Sequence, residues 1–261
     1  MKRKPPRWIL LALFFFAASS RSAAQQPSSL SPKEMQEERA KVQMAEKRFD
    51  AAIQTYLELL KSDPKNAPYL NMIGIAYLDL GNYILAKKFF IRSSKADKTY
   101  GSAVNNLGMV YYHQKDFKRA IREYLKAATI DPSQSGTHAN LGFAYYNTDK
   151  YPEAASEFLK AIELDPHIFE RNDRGGSMMQ DRSVSNHGLF FFTMAKVYAQ
   201  KGDAEHCAEY LRKSLDEGYK DIAKVATDPA FKDVINDPAV QGVLARAAPA
   251  DDKGSVTHPG A

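Results

Sequence analysis

Chemistry in this chain would have to come from its histidines, its lone cysteine or its carboxylates. The histidines are His113, His138, His167, His187, His206 and His258, and the cysteine is Cys207. No pair of histidines has the His-Glu-x-x-His spacing that sets two imidazoles on one helix face around a metal. His206 and Cys207 are adjacent, and neighbours one apart on a helix point to different faces, so they do not share an ion. There is no Gly-x-x-x-x-Gly-Lys phosphate loop and no Gly-x-Ser-x-Gly elbow. Gly175-Gly176 reads as loop flexibility, and the carboxylates read as solvated helix faces. No catalytic, cofactor-binding or metal-binding set emerges. The expectation is a non-enzyme without a cofactor.

The elements around these residues follow a fixed period. Asn106-Leu107-Gly108 with Tyr111 returns as Asn140-Leu141-Gly142 with Tyr145, 34 residues on. Ala120 pairs with Ala154, Tyr124 with Phe158, Ala127 with Ala161, and Asp131-Pro132 with Asp165-Pro166. One step back lie Gly74, Tyr77, Ala86, Phe90 and Ser93, and before them Ala40, Ala52, Tyr56, Leu59 and Pro64. After a break, Ala195, Tyr198, Cys207, Leu211 and Ser214 keep the same spacing. Each unit reads as two amphipathic helices around a polar turn: Gly81-Asn82, Lys115-Asp116, Asp149-Lys150 and Gly202-Asp203. Small residues at positions 8 and 20 let the two helices approach closely. The recurrent tyrosine at position 11 and the ring or leucine at position 24 read as core. One helix pair cannot bury both of its faces, so the pairs must stack.

This pattern resembles the tetratricopeptide repeat (TPR) family. The units 101–134 and 135–168 match its signature almost fully, 67–100 lacks only the late proline, 33–66 is degenerate in its first helix, and 188–221 carries Cys207 for alanine. The resemblance implies an all-α, right-handed α-solenoid of about five helix pairs. Asp228-Pro229 and Asp237-Pro238 look like caps of two short helices that close its end over 222–247.

The ends read differently. Lys2, Arg3, Lys4 and Arg7 precede the apolar run Trp8–Ala18, and Ser22-Ala23-Ala24 follows. This is the pattern of a secretory signal peptide over 1–24. The run is too short for a spanning helix, which needs about 20 apolar residues. The expected location is periplasmic or secreted, with no membrane span after cleavage. The segment holds five of the 36 basic residues and none of the 31 acidic ones, so the remaining chain is balanced in charge. That balance argues against a nucleic-acid partner. Residues 25–32 read as a flexible lead-in and 248–261 as a disordered tail. The polar stretch 169–187 breaks the period. It reads as a loop whose helix-side end is capped by Ser185 or Asn186, with Arg174, Met178, Met179 and Arg182 as candidate contacts.

The resemblance also places a concave groove on the first helices. Its wall would comprise Asn71, Ile75 and Leu78, then Asn105, Asn106, Met109, Tyr112 and His113, then Asn140, Phe143, Tyr146 and Asn147. Two readings of the asparagines stand. They grip the main chain of a bound protein or peptide segment, or they tie neighbouring helices together. The family's carboxylate clamp is absent, since Glu37 and Lys41 occupy the first repeat's groove positions. The functional expectation is a protein-interaction scaffold. The alternative is a structural subunit of an envelope assembly, using the loop or the convex face.

Overall fold

The computed structural model describes residues 30–169 and 186–247. The signal-like segment 1–24, most of the lead-in 25–32, the interior of the 169–187 stretch and the tail 248–261 lie outside the described residues. So do Arg174, Met178, Met179 and Arg182. Ten helices run in antiparallel pairs: α1 (Pro32–Ala45) with α2 (Phe49–Ser62), α3 (Ala67–Asp79) with α4 (Tyr83–Ala96), α5 (Gly101–His113) with α6 (Phe117–Ile130), α7 (Ser135–Tyr146) with α8 (Tyr151–Leu164), and α9 (His187–Gln200) with α10 (Ala204–Asp216). They form an all-α solenoid.

The turn within each pair depends on one backbone position. Lys47, Gly81, Lys115, Asp149 and Gly202 occupy the same place in successive units, and all are left-handed, with φ of 58°, 72°, 59°, 59° and 77°. At two of the five, glycine adopts this conformation without a steric penalty. In three of the five, the following residue caps the second helix: Asn82, Asp116 and Asp203 accept a hydrogen bond from the N–H groups of Leu85, Arg119 and His206. Asn186 caps α9 in the same way.

The second, third and fourth pairs each close on a glycine–ring contact. A Cβ added at Gly74 would sit 2.5 Å from the Phe90 ring, at Gly108 2.6 Å from Tyr124, and at Gly142 2.5 Å from Phe158. The ring at position 24 therefore lies directly on the helix backbone, and the alanines at position 20 (Ala86, Ala120, Ala154) are fully buried beside it. Ser93 donates to the Ala67 carbonyl at 2.7 Å, and Ser214 repeats that bond to Gly188 at 2.8 Å, which fixes the fifth pair in the same register as the second. Phe143, Phe158, Phe169 and Phe190 pack ring against ring, joining the fourth pair to α9.

Two features differ from the sequence reading. Only Tyr198 among the position-11 tyrosines is fully buried; Tyr77, Tyr111 and Tyr145 remain half-buried at the margin of the core. The ring at position 24 already fills the seam, leaving position 11 the edge. At the C-terminal end, Asp221–Ala226 and Pro229–Phe231 are 3₁₀ turns, and only Pro238–Ala247 (α11) is α-helical. The second Asp-Pro follows nine residues after the first, and it starts a new helix before the earlier turn can propagate. Phe231, Val234, Val240 and Val243 still cover the end of the stack, all buried.

Candidate functional site

First helices of successive repeats touch directly, α3 with α5 and α5 with α7, whereas each second helix reaches the next repeat through that repeat's first helix. A stack curves toward its more closely spaced layer. The first helices therefore line the inner face and the second helices the outer.

The groove candidates lie on that inner layer, but most are not open to solvent. Asn71, Ile75, Leu78, Asn105, Asn106, Met109, Tyr112, Asn140, Phe143 and Tyr146 are all buried. The asparagines form a chain of amide-to-amide hydrogen bonds. Asn106 Nδ2 donates to Asn71 Oδ1 at 3.0 Å, Asn105 Nδ2 to Asn106 Oδ1 at 3.2 Å, and Asn140 Nδ2 to Asn105 Oδ1 at 3.0 Å. This runs from α3 through α5 to α7. A separate bond, from Asn147 Nδ2 to the Tyr112 hydroxyl at 2.7 Å, ties the end of α7 to α5. The bonds follow the helix-tying arrangement, and their physical reason is burial: amides removed from water must find partners. Phe143 and Tyr146 pack on Phe190 of α9, and the Tyr146 hydroxyl donates to the Asn186 carbonyl at 2.9 Å.

Of the twelve groove candidates, His113 is exposed and Asn147 half-buried. His113 ends α5 and stacks on Tyr83 at 5.8 Å; though the residue is exposed overall, partial desolvation of its ring holds its pKa below the ordinary value. Asp79, at the equivalent place on α3, has its carboxyl pushed above the ordinary value by desolvation, with Lys47 opposing. Beside them an open hollow of about 420 Å³ is bounded by Leu80, Gly81, Asn82, Tyr83, Ile84 and Gln114.

The other reactive residues stay apart. Cys207 is a buried free thiol, pushed up to about 12 by burial and then by Asp203 and Asp237, a state that suppresses thiolate chemistry. His206 bonds Asp203 at 2.7 Å and stacks on Tyr198. His138 lies between Glu157 at 2.7 Å and the Pro132 carbonyl at 3.1 Å, a buried clasp between α7, α8 and the preceding loop. Among the described residues, no group of three His, Cys, Asp or Glu side chains could hold a metal, and no helix is long and apolar enough to cross a membrane.

Sequence profiles described as tetratricopeptide repeat match residues 34–66, 67–100 and 136–168, and one described as TPR repeat matches 108–149. The chain belongs to the tetratricopeptide repeat family, a family of non-catalytic interaction scaffolds. No curated protein matches it. Among solved structures, PilF of Pseudomonas aeruginosa is similar at 17% identity and a TM-score of 0.53, over 82% of this chain and 97% of that one. MamA of Desulfovibrio magneticus RS-1 gives 18% and 0.49, over 72% and 97%. YrrB, described as a TPR protein with an unusual peptide-binding site, gives 22% and 0.45, over 72% and 88%. At 17% identity the likeness to PilF is one of fold alone.

Proposed function

We propose that this protein is a binding scaffold that works outside the cytoplasm and takes a segment of a partner protein along the inner face of repeats two to four. The observation that carries the reading is the continuity of that face. Three first helices lie side by side, tied by buried asparagine hydrogen bonds, so a partner meets a surface already in its bound shape. The asparagines shape the face from behind, and the accessible contacts are Asp79, His113 and Asn147. The export part of the proposal rests on the basic, then apolar, then small-residue order of the first 24 residues.

A photo-cross-linking amino acid placed at His113 or Asn147, and as a control at exposed Arg246 on α11, tests this directly. Envelope extracts should give one discrete adduct from the first two positions and none from the third. Adducts that do not depend on position, or none from His113 and Asn147, would remove the inner face as the binding surface.

A further inference from the structure

We propose that the outer face of repeats two and three docks peripherally on an anionic phospholipid surface. Although the chain is nearly balanced in charge after its first 24 residues, its charges are not evenly placed. Residues 80–130 carry ten lysines and arginines against three acidic residues, whereas 131–169 carry two against six. The excess lies on the second helices. On α4, Lys88, Arg92 and Lys95 are exposed and fall at helical spacing on one stripe that begins at Ile84. On α6, Lys118, Arg122 and Lys126 form the corresponding stripe, all exposed.

The helices that carry the two stripes adjoin. The half-buried ring of Tyr111 has Lys87 Nζ of α4 at 4.9 Å and Arg119 Cζ of α6 at 5.7 Å. Among the described residues, no carboxylate stands at ion-pair distance from Lys87, Lys88, Arg92, Lys95, Lys115 or Lys118. The pairs on this face are confined to Asp116 and Glu123 with Arg119, Arg122 and Lys126. These unpaired cations lie on the outside of the curve. Such a surface meets a broad anionic sheet more naturally than it enfolds a narrow chain.

The apolar residues select the occupant. Ile84 is 80% exposed at the head of the α4 stripe, and Leu125 is 44% exposed within the α6 stripe. Leu80, 45% exposed, stands beside Ile84 across the hollow. Aliphatic side chains among cations gain nothing from an acidic peptide in water, but they enter the boundary between headgroups and acyl chains. The cations supply attraction to phosphate headgroups, and the long lysine stems lie along the apolar surface. The acidic fourth repeat then sets the orientation by staying away from the bilayer.

The test is co-sedimentation of the full chain with vesicles of phosphatidylcholine and phosphatidylglycerol in roughly equal parts, against phosphatidylcholine alone. One variant carries Lys88→Glu, Arg92→Glu and Lys118→Glu. A second carries Lys65→Glu, Lys201→Glu and Lys220→Glu, exposed sites elsewhere with the same change in net charge. Ile84→Ser forms a third. All four should keep the same helicity. The first variant should lose binding to the anionic vesicles by at least about tenfold relative to both the second and the unaltered chain. Ile84→Ser should weaken vesicle binding without altering capture of a short polyglutamate peptide. Equal losses in the two charge variants, or none in either, would overturn the proposal. So would polyglutamate binding that matches vesicle binding and ignores Ile84, because the occupant would then be an acidic protein.

Discussion

The inner and outer layers of this solenoid use their polar residues in opposite ways. On the inner layer, asparagines that look available in the sequence are buried and bonded to one another across α3, α5 and α7. On the outer layer, Lys87, Lys88, Arg92 and Lys95 of α4 and Lys118 of α6 stand without a carboxylate at ion-pair distance among the described residues, and only Arg119, Arg122 and Lys126 are paired. Chemically versatile side chains therefore hold the stack together, and bland ones face outward. The difference follows from spacing. Where helices approach closely, polar groups leave water and must pair. Where helices diverge, charges keep their hydration and remain free to meet a partner.

The contrast breaks most sharply at the seam between the layers. Gly108→Val puts a branched side chain where even a Cβ would lie 2.6 Å from the Tyr124 ring. Overpacking of this kind should cost about 3 kcal/mol, read as a fall in the urea midpoint. Tyr124→Leu in the same chain should return part of that loss by making room. A mutation that proved silent would mean the third pair is not packed as described.

Asn106→Ala is the next largest expected effect. It deletes a donor to Asn71 and an acceptor for Asn105, both buried, and should cost about 2 kcal/mol. An asparagine whose role was to grip a ligand would lose affinity and leave the free protein's stability untouched, so denaturant unfolding in the absence of any partner separates the two roles. The triple outer-face change Lys88→Glu, Arg92→Glu and Lys118→Glu should by contrast shift stability by no more than about 0.5 kcal/mol. If both layers responded equally, the division of labour between them would fail.

The sequence makes the fold legible because the 34-residue period carries its own geometry. Glycine at position 8 and a ring at position 24 recur together, and the structure brings Gly74, Gly108 and Gly142 onto Phe90, Tyr124 and Phe158. The candidate site is less legible. Register places Asn106 and Asn140 on the first-helix face, but whether they face a ligand or a neighbouring helix depends on the distance between helices in successive repeats. No spacing within one repeat sets that distance. The same gap explains Tyr111, expected in the core from its register and found at the edge under Lys87 and Arg119. The cationic face was present in the sequence as a local excess over residues 80–130, and summing charge over the whole chain erased it. A count per repeat, separated by helix, would have kept it.

The smallest effect tests whether the edge of the inner face is tuned for contact or for stability. Asp79 is exposed along part of its surface yet sufficiently desolvated that its carboxyl titrates above the ordinary value, with Lys47 only partly compensating. A carboxyl whose folded pKa is raised binds its proton more tightly in the folded state. It therefore weakens the fold once ionised, and the penalty disappears as pH falls below the unfolded value. Asp79→Asn should accordingly raise stability near neutral pH by a few tenths of a kcal/mol at most, given the screening at a partly exposed site. The gain should vanish in acid, where the unaltered residue is protonated in both states. Paired urea unfolding curves at neutral pH and below the ordinary carboxyl range would measure it. A gain confined to neutral pH would mark Asp79 as a charge kept at a cost to stability, as a contact residue on this edge would be; a loss at neutral pH would instead make it a stabilising partner of Lys47 and move it to the structural side of the comparison.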